Sequence, residues 1–207
     1  TRTHEEHTMA AAEMHAESQH HTTTGIDNRK ILMWVFLASE CLFFGSLIST
    51  YLIFKGDSIV GPLPADILDI PLTSTSTFFL LMSSLTMVLA VFGAQHNRLG
   101  LMKGMLLATI LLGLTFLGFQ VYEFRTFAHE GLNLGTNQFG ASFFLLTGVH
   151  GTHVGVGVLY LGSLLVASAR RNGLGKEAAL HVDIAGLYWH FVDIVWIVIF
   201  TLVYLIP

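Results

Sequence analysis

The sequence predicts an all-α membrane protein, a polytopic bundle of five transmembrane helices with its N-terminus inside and its C-terminus outside. Three observations point there. Of its 207 residues, 53% are hydrophobic and only 12% charged, with a mean hydropathy of +0.64. That is too apolar for a surface that must face water. Five apolar runs of bilayer-spanning length are separated by short polar segments. Lysine and arginine fall unevenly on the two sides of those runs: seven lie in the N-terminal flank (Arg29, Lys30) and the second and fourth loops (Arg98, Lys103, Arg170, Arg171, Lys176), against Lys55 and Arg125 in the first and third. The richer side is expected to be cytoplasmic.

Residues 1–30 mix histidine, glutamate and small residues without apolar periodicity and read as a polar, His-rich cytoplasmic tail with no secretory signal. His4, His7, His15, His20 and His21 fit no defined metal spacing. The membrane domain, residues 31–207, starts with a helix over about 31–54, flanked by Lys30 and Lys55 and interrupted by Glu40. Three of the four prolines mark Lys55–Pro71 as a loop. The second helix, about 72–94, opens on a Thr/Ser-rich turn; the third, about 101–122, is followed by a polar segment from Glu123 to Gln138. The fourth, about 140–167, is glycine-rich, with Gly151 and Gly155 in a spacing that permits close helix contact. The fifth, about 183–206, carries His190 and Asp193 inside an apolar run.

A net charge of −4 offers no basic surface, so no nucleic-acid partner is expected. Cys41 is the only cysteine, which excludes a disulfide framework and a cysteine metal site. Functional interest therefore concentrates on the ionisable groups within the membrane, where each needs a partner. At ~1.5 Å per residue, Glu40 lies ~15 Å from the inner boundary and His190 and Asp193 ~14–18 Å, so the three are expected to meet at one level. His190 and Asp193, three residues apart, share a helix face. Glu123 at the outer end of the third helix is expected to pair with His150 or His153, which lie three residues apart on the fourth. A bis-His haem would need a second ligand at the same depth, and His190 is at another; a di-iron site would need more histidines.

With these residues in place, the chain resembles subunit III of the haem–copper terminal oxidases, in the five-helix form found in bacteria. The resemblance rests on Trp34–Phe44 (WVFLASECLFF), Gly118–Phe124 (GFQVYEF), Phe143–Gly157 (FFLLTGVHGTHVGVG) and Leu187–Leu205 (LYWHFVDIVWIVIFTLVYL). It implies a non-catalytic subunit of a proton-pumping oxidoreductase complex in the bacterial plasma membrane, reducing oxygen to water in aerobic electron transport. It also implies no catalytic, cofactor-binding or metal-ligating residue in this chain; haem and copper belong to partner subunits, and phospholipid binds between the helices. Subunit I is the expected direct partner, with subunit II and a small subunit IV further candidates. On this reading Glu40, His190, Asp193, Glu123, His150 and His153 support lipid binding or proton uptake. Cytochrome c is the preferred electron donor over quinol. Two rival readings are the related accessory subunit of a nitric oxide reductase complex, and an independent membrane haem or metal protein using histidine ligands.

Overall fold

A computed structural model describes residues 27–55, 69–129, 131, 135, 138–169 and 176–206. The histidine-rich tail, most of the first loop and residues 170–175 lie outside them. Among the described residues the chain is wholly helical, because a backbone surrounded by hydrocarbon must satisfy its hydrogen bonds within its own segment. The helices are α1 (Asn28–Phe54), α2 (Ile70–Gln95), α3 (Leu99–His129), α4 (Gln138–Ala169) and α5 (Lys176–Phe200). All five are long and apolar enough to cross a membrane.

Two helices run further than their polarity suggests. α3 continues past Glu123 to His129, because Phe127 in this last stretch is buried and packs edge-on against Phe143, 5.5 Å between ring centroids. α5 starts at Lys176, since Lys-Glu-Ala-Ala-Leu is made of strong helix formers. At its far end it loosens into a π-helical turn, Thr201–Leu205, where the Ile206 N–H reaches the Thr201 carbonyl at 3.1 Å. Lys55 Nζ, just past α1, donates to the Ile206 carbonyl and so satisfies a group that the helix end leaves free.

Packing divides the chain inside α1, into Thr1–Ser39 and Glu40–Pro207. In the first unit, the Asp27 carboxylate accepts from the Arg29 N–H at 2.9 Å at the start of the helix. In the second, α2 packs on α3, α3 on α4, α4 on α5 and α5 back on α2, which closes a ring of four helices. The second half of α1 lies against α4, with Phe44 beside the rings of His150 and His153 and Tyr51 beside Phe139.

The α2–α3 corner is set by local chemistry. Asp69 caps the start of α2 by accepting from the Leu72 N–H at 3.1 Å, and Pro71 occupies the first turn, where no N–H is needed. At the other end Asn97 takes a left-handed φ of 55°, and the N–H groups of Asn97 and Arg98 fold back to the carbonyls of Ala94 and Gly93. This is the Schellman closure of a helix, with asparagine in place of the usual glycine. Gly93 is required here, since a Cβ would stand 2.8 Å from the Met102 backbone nitrogen.

The glycines of α4 do not act through the Gly151/Gly155 pair that the spacing suggests. A Cβ at Gly155 would meet nothing, whereas one at Gly151 would collide with the Gln120 amide and one at Gly157 with the Trp189 ring. Gly113 on α3 completes the socket for Trp189, with a Cβ at 2.7 Å from the indole. Gly113→Val is expected to destabilise the bundle by about 1–3 kcal/mol through overpacking. Gly104→Ala, at a position with open space, should leave the melting temperature unchanged or raise it. Thermal unfolding followed by circular dichroism compares the two; equal melting would contradict the socket.

Candidate functional site

The polar groups of the membrane region form a seam along the ring of helices. Its organising element is α2, whose buried face includes Thr73, Ser76, Thr77, Ser83 and Met87 at three-, four- and seven-residue spacing. Hydroxyls on this face can bond back to their own helix and still accept from a neighbour. Ser83 Oγ donates to the Leu80 carbonyl and accepts from Trp189 Nε1 at 2.9 Å. Thr77 Oγ1 donates to the Thr73 carbonyl and accepts from Trp196 Nε1 at 2.9 Å. Farther along, the Thr86 hydroxyl meets that of Thr109 on α3 at 2.8 Å.

Glu123 stands at one end of the seam. Its buried carboxylate accepts from Thr73 Oγ1 at 2.7 Å and from the Tyr204 hydroxyl at 3.2 Å. The expected pairing of Glu123 with His150 or His153 is not what the structure shows. Hydroxyl donors on α2 and α5 satisfy this carboxylate instead, and both histidines are engaged elsewhere.

His150 is fully enclosed, stacked on Trp196 with 4.8 Å between centroids and an interplanar angle of 24°, and flanked edge-on by Phe116 and Phe44. Neither of its ring nitrogens has a hydrogen-bond partner. His153, one turn on, is oriented by Nδ1, 2.8 Å from the Val149 carbonyl, and places Nε2 3.3 Å from Glu40 Oε2. A carbonyl only accepts, so Nδ1 carries the hydrogen. Nε2 is then the nitrogen turned toward Glu40. The contact has ion-pair distance without hydrogen-bond alignment, since Glu40 Oε2 makes no hydrogen bond.

Glu40, His190 and Asp193 were expected to gather at one level, with Glu40 bonded to a neighbour such as His190. The structure divides them: Glu40 takes His153, while His190 Nδ1 lies 2.7 Å from Ser84 Oγ on α2. Asp193, three residues further along α5, is buried, and its Oδ1 has no hydrogen-bond partner. Among the described residues no three histidine, cysteine or acidic side chains gather closely enough to hold a metal ion. The Ser84 partner of His190 and the indole-accepting hydroxyls of Ser83 and Thr77 were not read from the sequence. Their signal was present in the helical spacing of the α2 hydroxyls.

Two comparisons bear on this arrangement. The family model described as "Cytochrome c oxidase subunit III" matches residues 8–206. A protein named "Probable quinol oxidase subunit 3" from Staphylococcus saprophyticus is 40% identical over 194 residues, covering 90% of this chain and 96% of the relative. The protein of the same name from Staphylococcus aureus is 39% identical over the same coverage. These five membrane helices with their polar seam are those of a known class: the chain belongs to the cytochrome c oxidase subunit III family, the third subunit of haem–copper oxidases.

The Glu123 end of the seam is testable by a double-mutant cycle. Thr73→Val and Glu123→Gln should each destabilise by about 1–2 kcal/mol and couple by roughly 1 kcal/mol, while Glu123→Gln and His150→Phe should add. Coupling of Glu123 to His150, without coupling to Thr73, would refute the assignment of partners.

Proposed function

We propose that this chain is the non-catalytic third subunit of a bacterial quinol-oxidising haem–copper oxidase, multi-pass in the plasma membrane with its N-terminus inside. On this reading it packs on subunit I, which with its other partner subunits carries the haem and copper, and it supports proton uptake and the durability of the catalytic site. The observation that carries the reading is the family match across residues 8–206, reinforced by relatives aligned over 96% of their own length. The donor follows the relatives' names. Cytochrome c, preferred from the sequence, gives way to quinol because these relatives are named as quinol oxidase subunits. The seam fits a stabilising role, since most of its polar side chains engage neighbouring helices. Phospholipid at the exposed apolar faces completes the proposal.

The chain, tagged and purified in mild detergent, should bring down a haem- and copper-bearing subunit and support oxygen consumption driven by quinol. Consumption driven only by reduced cytochrome c would make cytochrome c the donor. Nitric oxide reduction by the purified complex would assign the chain to a nitric oxide reductase, and a Soret band from the isolated subunit would make it a haem protein in its own right. In the same complex Glu40→Gln should leave oxygen reduction and proton pumping nearly intact, because the amide keeps shape and hydrogen-bonding capacity beside His153. Glu40→Ala leaves His153 unpaired and should weaken assembly or shorten activity during turnover. Lost pumping in a fully assembled Glu40→Gln complex would make Glu40 part of a proton path. Orientation is read from a cysteine introduced between Arg170 and Lys176, which an impermeant reagent outside intact cells should fail to label.

A further inference from the structure

One polar atom on the outward side of α5 is satisfied by nothing among the described residues of this chain. Leu187, His190, Ile194, Val198 and Leu205 follow one another at helical spacing and are half-buried or exposed, with Ile194 59% and Val198 41% exposed. His190 sits near the middle of the span Ala178–Leu205. Its Nδ1 is held by Ser84, whereas Nε2 is neither enclosed nor hydrogen-bonded to any described residue. At mid-span an acyl chain offers no hydrogen bond, and phospholipid headgroups lie at the boundary. Ionisable groups at this depth almost always face protein or a water-filled cavity.

The Ser84 hydroxyl and His190 Nδ1 share one hydrogen bond at 2.7 Å, which holds the ring against α2. Nε2, at the far side of the ring, can donate or accept according to which nitrogen carries the hydrogen.

We infer that this α5 stripe docks against a transmembrane helix of the haem–copper partner subunit, and that His190 Nε2 hydrogen-bonds a polar side chain on that helix. The inference rests on the function proposed above and adds the contact surface to it. A benzophenone probe at Ile194 or Val198, on the assembled complex with His190 intact, should cross-link to the haem-bearing subunit. The same probe at Leu159 on α4, which is 75% exposed, should not. His190→Phe keeps the ring volume and should release the subunit during detergent washing about fivefold faster, the order of one interhelical hydrogen bond in a membrane. His190→Gln, whose amide reaches the place of Nε2, should restore retention. Cross-links only to lipid or to a second copy of this chain, or unchanged retention of His190→Phe, would overturn the docking surface and leave the proposed function standing. Failure of the unmodified chain to copurify with a haem-bearing subunit would overturn both.

Discussion

Hydrocarbon supplies no hydrogen-bond partner, and that constraint orders this bundle more than any apolar contact does. The buried hydroxyls of α2 answer it. A serine or threonine in a helix can donate to the carbonyl three or four residues back and keep its lone pairs free, so each becomes an acceptor for another helix without losing its own bond. Trp189 and Trp196 use two of these acceptors, and Glu123 takes the hydrogen of a third hydroxyl. Two large indoles are thereby fixed in orientation as well as in place, and α5 acquires one register against α2. The glycines at 113 and 157 then clear the volume that the fixed Trp189 ring demands.

The two histidines of α4 show how differently neighbouring positions can meet the same constraint. His153 is polar in use, tied to a carbonyl at one nitrogen and set against a carboxylate at the other. His150 is aromatic in use, held by stacking and edge contacts with three rings. Such contacts exploit the ring quadrupole and need no hydrogen bond. Three residues of spacing turn one imidazole toward Glu40 on α1 and the other onto Trp196 in the core.

Much of this could be read from residue order. Span number and approximate positions follow from apolar run length, and the residues that matter in the membrane were recognisable as ionisable groups in apolar surroundings. Their pairing was not legible. Glu123 lies at the level of Tyr204, whereas His150 packs on Phe116 and Trp196, seven and eight residues away along their helices and so ~10–12 Å deeper; helix lengths and offsets decide which groups meet, and those are products of packing. The α2 hydroxyls are easily passed over because a threonine-rich opening resembles a helix cap, although Thr73, Thr77 and Ser84 continue at intervals of four and seven residues. The extension of α3 past Glu123 was hidden for a related reason: a carboxylate reads as a membrane boundary until its buried partners are known.

The corner at Asn97 has a meaning for biogenesis. With the left-handed residue closing α2 and α3 starting at Leu99, so little chain separates the two helices that they are neighbours as soon as both are in the bilayer. The hydroxyls of Thr86 and Thr109 then meet within the hairpin itself, with no need of the remaining helices. Thr73 and Glu123 meet at the open end of the same hairpin as it closes, whereas Ser83 and Thr77 wait until α5 delivers its indoles. The order in which polar groups are sheltered is thus written into the turn, and a lengthened corner would change the assembly route even where it left the finished bundle intact.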